Sequence, residues 1–115
     1  MSFIRPRVQT GQILAGTLTK EFEMAVGSDF PENVAVFLTM SAMSSAETLN
    51  LFGQSPGMTG YADTVLTTEI DINTAASTTV RVMLPATTTG PLWNLKLVAL
   101  NIAAAETIDI VVVSW

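Results

Sequence analysis

The sequence contains no cysteine and no histidine. The absence of cysteine excludes disulfides, thiolate zinc sites and cysteine nucleophiles. Without histidine as well, the groups left for acid, base or nucleophilic catalysis are the carboxylates, the hydroxyls, Tyr61, Lys20 and Lys96. None of them stands in the spacing of a known catalytic motif, a calcium loop or a phosphate-binding loop. We therefore expect a non-enzymatic protein with no catalytic residue, no cofactor and no metal.

Charge is also scarce, since charged residues make up 13% of the chain and hydrophobic residues 49%, whereas a typical soluble domain is about 25% charged. Thr, Ser, Asn and Ala must then cover much of the surface. Such a surface suits a protein that packs against other proteins, and it also fits an ordinary Thr-rich β domain. The formal net charge is −5, so we expect no nucleic acid to bind the folded domain.

Long hydrophobic runs are missing as well. The opening stretch MSFIRPRVQTGQ has no apolar core of seven or more residues, which is typical of neither a signal peptide nor a membrane span. No later stretch is long enough to cross a bilayer. We expect a single domain of 115 residues that has no membrane partner and assembles in the cytosol.

The strongest pattern that is present lies in residues 92–115, which predict two strands and a short turn. In the second strand Ile108, Ile110 and Val112 share one face and the intervening residues share the other, because side chains alternate along a strand. Residues 67–82 repeat the plan of strand, small-residue turn and strand. The two segments therefore predict two similar hairpins, and the last strand is expected to be central or part of an interface.

Further alternating segments, separated by turn signals, complete an all-β pattern. Asn33–Met40 is apolar on both faces, so it is expected in the middle of a sheet. The longest loop is Gly53–Gly60. The predicted fold is an antiparallel β-sandwich or jelly roll of about seven to eight strands with an extended N-terminal arm. The predicted strands are Glu21–Val26, Asn33–Met40, Glu47–Phe52, Thr64–Asn73, Thr78–Leu84 and the terminal two.

Residues 1–20 differ from the rest because they carry three of the five basic residues and no acid. Pro6, Gly11 and Gly16 interrupt any regular element there. We predict an arm over residues 1–20 and a β-sandwich domain over residues 21–115. The arm lies either on its own domain or on a neighbouring subunit. Its candidate partner-binding residues are Phe3, Ile4, Arg5, Arg7, Val8, Ile13 and Leu14.

Glu69 and Asp71 share one face of the predicted strand Thr64–Asn73, about 7 Å apart by strand rise. Such a pair can bind a cation, although two acids on one face are more often simply solvated. Arg81 is a candidate cross-strand partner for either of them.

A carbohydrate-binding role, as in a lectin or adhesin-like module, is the alternative function. Aromatic and amide side chains at loop edges are typical of sugar sites, and here they are Tyr61, Trp93 and Asn94. The competing interpretation is structural, with Trp93 plugging one end of the core and Tyr61 covering a glycine turn.

The basic arm, the low charge, the missing catalytic groups and the apolar C-terminal strand together resemble small all-β virion accessory proteins, namely the capsid decoration or cement proteins of tailed bacteriophages. The resemblance concerns the general plan of the chain and transfers no family residue to a position here. It implies a virion protein, assembled in the host cytoplasm, that sits as a trimer or dimer on a shell of capsid protein. Adhesin, pilus and tail subunits of similar design remain open.

Overall fold

The structure, a computed structural model, describes residues 5–41, 47–72 and 77–115. Nearly all its regular elements are strands, and a single helical turn, α1, follows the sixth of them. Within these residues no helix has the length and apolar character needed to cross a bilayer. The elements are β1 (Arg7–Leu14), β2 (Thr19–Glu23), β3 (Asn33–Met40), β4 (Thr48–Gln54), β5 (Ile70–Asp71), β6 (Thr79–Pro85), α1 (Ala86–Thr89), β7 (Asn94–Ala99) and β8 (Thr107–Ser114).

The strands form two four-stranded sheets. Sheet A has the order β1-β8-β3-β6 and sheet B the order β2-β7-β4-β5. The first strand pairs with the last, the second with the next to last, and so on inward, always antiparallel. This nested pairing is the jelly-roll topology. The predicted all-β fold is therefore confirmed, and the structure has the jelly-roll form of the β-sandwich.

The core lies between the inner faces of the two sheets. β8 buries Ile108, Ile110 and Val112, as its alternation predicts, and β3 buries the side chains from Val34 to Met40 that point the same way. β8 lies between β1 and β3, and β3 lies between β8 and β6. Both strands are central in sheet A, as predicted.

The N-terminal arm is the first correction. Arg7–Leu14 pairs with β8 along its whole length as an edge strand of sheet A, and Thr19–Glu23 pairs with β7 in sheet B. The predicted boundary at residue 20 is therefore wrong for the described residues. The reason is that three of the four inward positions of β1 are Arg7, Gln9 and Gly11, so the strand lacks an apolar inner face that its sequence could reveal. Phe3 and Ile4 lie outside the described residues.

The two predicted hairpins are the second correction. β7 belongs to sheet B and β8 to sheet A, so the connection over residues 100–106 crosses from one sheet to the other. β5 likewise belongs to sheet B and β6 to sheet A, so they do not form a hairpin. Residues 73–76 between them lie outside the described part. An amphipathic strand buries the same core from either sheet, which is why the alternating pattern could not separate a hairpin from a crossing.

The strand predicted over Thr64–Asn73 is also shorter, since only Ile70–Asp71 forms a ladder, with β4. Residues 62–66 run beside β4 without strand structure, and the amides of Ala62 and Leu66 donate to its carbonyls. The predicted pairing of Arg81 with the acids of this segment is wrong, because Arg81 lies in sheet A and faces Phe37 across the strands. Residues 86–89, which lie between two of the predicted strands, form α1.

Candidate functional site

The outer face of sheet A divides into a polar end and an apolar end. At the polar end Gln12 Nε2 donates to Asp109 Oδ1 over 2.9 Å, and the hydroxyls of Thr39 and Thr79 are 2.9 Å apart. These four residues form one row across the four strands. Their polar groups therefore satisfy one another within the face.

The next two rows across the same strands carry the apolar side chains of this face. One row aligns Val8, Val113, Ala35 and Met83, and the row between it and the polar row aligns Val111 and Phe37 between Thr10 and Arg81. We call the set Val8, Phe37, Met83, Val111 and Val113 the apolar patch. Val8 is 61% exposed and Met83 46% exposed, while the other three are half-buried. No other layer of the described residues covers this patch.

The predicted partner-binding residues are separated by the fold. Val8 lies in the apolar patch, whereas Ile13 is fully buried in the core and cannot contact a partner. The guanidinium of Arg7 donates through Nη1 to the carbonyl of Glu23 over 2.8 Å, and Gln9 donates to the same oxygen over 2.9 Å. Arg7 thus joins β1 to β2 across the edge of the sandwich. Arg5 and Leu14 are exposed.

The outer face of sheet B carries an aromatic cluster around Lys96. The Nζ atom of Lys96 lies 4.7 Å from the ring centroid of Tyr61 and 5.3 Å from that of Phe52, both within cation–π range. Phe52 and Glu21 flank Lys96 on the neighbouring strands. Burial raises the pKa of Tyr61, and a hydrogen bond to the Glu21 carboxylate raises it further. Tyr61 therefore holds its loop against the sheet.

Beside this cluster, at the end of sheet B, is an open cleft of about 450 Å³ lined by Glu23, Ala25, Gly27, Trp93 and Asn94. We call it the Trp93 cleft. Trp93 is 38% exposed, and it belongs neither to the hydrophobic core cluster nor to the side chains packed against that cluster, so its predicted role as a plug of the core is wrong. Tyr61 is not among the lining residues. The structure thus brings Trp93 and Asn94 together and places the third predicted ligand-binding residue elsewhere.

Backbone hydrogen bonds fix the walls of the Trp93 cleft. The carbonyl of Trp93 accepts from the amides of Met24 and Ala25 over 2.7 and 3.3 Å, and its amide donates to the carbonyl of Gln54 over 2.7 Å. Asn94 Nδ2 donates to Gln54 Oε1 over 2.8 Å, which orients the carboxamide. The arrangement is preformed by the ends of β2, β4 and β7.

Sequence reasoning missed Glu23, Lys96 and Phe52 as members of these surfaces. The alternation of EFEMAV does place Glu21 and Glu23 on one face, but their neighbours follow only from the pairing of β2 with β7 and of β7 with β4. Glu69 and Asp71 are both exposed, and Asp71 lies in β5. Across residues 5–41, 47–72 and 77–115 there is no group of three or more acidic, His or Cys residues placed to hold a metal ion.

Comparison with known proteins adds no family. No protein-family model matches the chain, and no curated protein shows significant similarity to it. Function therefore has to be argued from the two surfaces themselves.

Proposed function

We propose that the protein is a non-enzymatic structural subunit that assembles through the outer face of sheet A, with a second copy of the chain packed on the apolar patch. The observation that supports this most directly is the position of the patch on the two central strands. Val111 and Val113 of β8 and Phe37 of β3 are apolar on the side that faces away from the core. A strand with apolar residues on both faces is typical of a sheet that is covered on both sides.

The size of the face bears on the kind of assembly. The whole outer face of sheet A, with four strands spaced about 4.8 Å apart and seven or eight residues long, covers roughly 19 by 26 Å, or about 500 Å² for each partner. The apolar patch is only part of this face. A standard stable interface buries about 800 Å² per partner. The patch alone is therefore smaller than a standard interface, and the proposed assembly includes a second contact, such as a shell, that contributes further burial.

The narrower proposal is that this assembly is a virion and that the chain is a decoration or cement subunit on a capsid shell. The jelly roll recurs in viral capsid domains, and also in lectin domains and cupins, so the fold is compatible with this role without selecting it. The low content of charged residues, 13%, adds support because a weakly solvated surface suits a subunit held against other proteins.

Size-exclusion chromatography with light scattering tests the assembly. Val8 and Met83 lie on the edge strands β1 and β6, where lysine is well tolerated, so the double variant Val8→Lys/Met83→Lys should fold normally. We expect an oligomer for the native chain and a monomer for the double variant with an unchanged circular dichroism spectrum. The matched control is Leu100→Lys, which removes a more exposed apolar side chain, 74% exposed, from outside the patch and should leave the oligomer intact.

A native chain that is a monodisperse monomer at tens of micromolar would overturn the assembly proposal. The virion proposal has its own test, which is detection of the chain in particles sedimented from the host that makes it. If the oligomer forms but the particles lack the chain, the virion location is wrong and the assembly role stands.

A further inference from the structure

We propose that the Trp93 cleft is a binding site for a neutral sugar and that it accommodates one pyranose ring of a glycan. This site lies on sheet B and is independent of the proposed assembly through sheet A. Its volume of about 450 Å³ falls within the range of about 300–1,000 Å³ that is usual for small-molecule sites.

Trp93 provides the flat surface of the site. The Trp93 side chain remains 38% exposed and does not belong to the hydrophobic core cluster, so part of its surface is free to contact a ligand. The three backbone hydrogen bonds of Trp93, to Met24 and Ala25 just after β2 and to Gln54 of β4, hold its backbone in place before any ligand arrives. An indole face is apolar and rigid, and it matches the apolar C–H face of a pyranose ring.

The polar groups of the cleft are mainly acceptors, which fits ligand hydroxyls. The Glu23 carboxylate can only accept hydrogen bonds, and it lies directly across the strands from Asn94. Because Asn94 Nδ2 already donates to Gln54 Oε1, its Oδ1 is left as an acceptor. Two neighbouring hydroxyls of a sugar ring can donate to these two groups while the ring stacks on the indole.

Charge selects the class of sugar. Glu23 is a negative group in the wall of the cleft, and the chain has a net charge of −5, so sialic acids, uronic acids and phosphorylated sugars are repelled. A cationic ligand is the competing occupant, since tryptophan is the best cation–π partner. A cation is usually enclosed by several aromatic rings, whereas among the residues that the structure describes Trp93 is the single aromatic one that lines this cleft. The carboxamide beside it also favours hydroxyls.

Intrinsic fluorescence tests the proposal in the full-length chain. The protein has two tryptophans, so Trp115→Phe leaves Trp93 as the only indole reporter. The probes are the methyl glycosides of glucose, galactose, mannose and N-acetylglucosamine, and arginine methyl ester serves as the cation probe. We expect a saturable change with at least one glycoside, with a dissociation constant of about 1 mM, as is usual for contacts worth roughly 4 kcal/mol.

Variants separate the sugar from the cation. Glu23 is exposed, so Glu23→Gln should fold normally, and we expect it to weaken the sugar about tenfold, a typical loss for one charge-assisted hydrogen bond. Tyr61→Phe is the matched control, because Tyr61 does not line the cleft, and it should leave the sugar affinity unchanged. A second readout is the shift of the Ala25 and Gly27 amide signals in NMR spectra of the native chain.

Two results would overturn the proposal. One is the absence of any saturable change in fluorescence and in the Ala25 and Gly27 signals with all four glycosides. The other is saturation with arginine methyl ester alone, abolished by Glu23→Gln, which would make the cleft a site for basic side chains.

Discussion

The ammonium group of Lys96 lies 4.7 Å from the centroid of the Tyr61 ring, and burial and the carboxylate of Glu21 raise the pKa of the Tyr61 hydroxyl. One tyrosine from the loop after β4 thus contacts side chains of both β7 and β2. Since these strands lie side by side in sheet B, Tyr61 interacts with two strands of the sheet, through a ring contact with Lys96 and through the charge of Glu21.

The first prediction concerns the ionisation of Tyr61. Burial and Glu21 raise its pKa above the ordinary value of 10.0, so the phenol should stay protonated when a free tyrosine would ionise. Tyr61 is the only tyrosine, and the near-ultraviolet absorbance of tyrosinate therefore reports on it alone. We expect a titration midpoint clearly above that of the unfolded chain, and a partial return toward the ordinary value in Glu21→Gln.

The sign of the linked stability change follows from the raised pKa. The contribution of Tyr61 to the free energy of unfolding is fully present below the pKa of the tyrosine in the unfolded chain. It is lost as pH rises from there toward the pKa in the folded protein, because the tyrosine of the unfolded chain ionises first. Tyr61→Phe should therefore show a shallower decline in stability above pH 10 than the native chain, measured by urea unfolding. Identical alkaline slopes would contradict this.

The second prediction tests whether β1 is a structural strand. Ile13 is fully buried and Leu14, its neighbour, is exposed on the outer face. Ile13→Ala should lower the free energy of unfolding by about 2–5 kcal/mol, the usual cost of such a cavity. Leu14→Ala is the matched control and should cost less than about 1 kcal/mol. Equal, small losses for the two variants would restore the interpretation of residues 1–20 as a separate arm.

The third prediction concerns Gly53, where the side chains of Leu66 and Leu92 closely approach the backbone of β4. A Cβ atom at this position would lie 2.6 Å from Leu92 Cδ2 and 3.1 Å from Leu66 Cδ2. Gly53→Ala should therefore destabilise the protein by about 1–3 kcal/mol through overpacking. Gly16→Ala is the control, because no atom lies within 4 Å of its Cβ position, and its effect should stay within about 0.5 kcal/mol. Calorimetric melting of both variants compares them directly.

The fourth prediction concerns the connection that crosses between the sheets. Glu106 is buried, its Oε1 accepts from the amide of Ala103 over 2.7 Å, and its own amide donates to the carbonyl of Ala103 over 2.9 Å. Glu106→Ala should cost about 1–3 kcal/mol, because it removes the acceptor and leaves a cavity. Glu106→Gln keeps an acceptor and should retain most of the stability in urea unfolding. A neutral effect of Glu106→Ala would show that the turn does not depend on this side chain.

Local alternation was enough to predict which side chains of β8 share a face. Ile108, Ile110 and Val112 lie on one face as expected, and that face is buried in the core, because period two is a property of each strand by itself. The same signal identified Asn33–Met40 as central, since apolar residues on both faces do not depend on which strands lie alongside. The fold class could therefore be derived without knowing a single strand pair.

Strand partners could not be derived, because they depend on residues far apart in the sequence. β7 and β8 are separated by a short turn and yet belong to different sheets, and the alternating pattern of each is the same in either arrangement. The candidate ligand site was affected in the same way. Trp93 and Asn94 are adjacent in the sequence, and both line the Trp93 cleft. The position of Tyr61 depends on its contact with Lys96, which only the strand pairing of sheet B creates.

The nested strand order also bears on how the chain acquires its structure during synthesis. β8 is the shared neighbour of β1 and β3, yet it is synthesised after the other strands. Val8 of β1 therefore cannot pair until its ladder partner, Val113 of β8, has been synthesised. Contacts between such distant residues slow folding. Until β8 leaves the ribosome, the facing edges of β1 and β3 have no partner and can pair with other chains. The interval between the synthesis of β3 and that of β8 is therefore the period in which the nascent chain is most prone to aggregate.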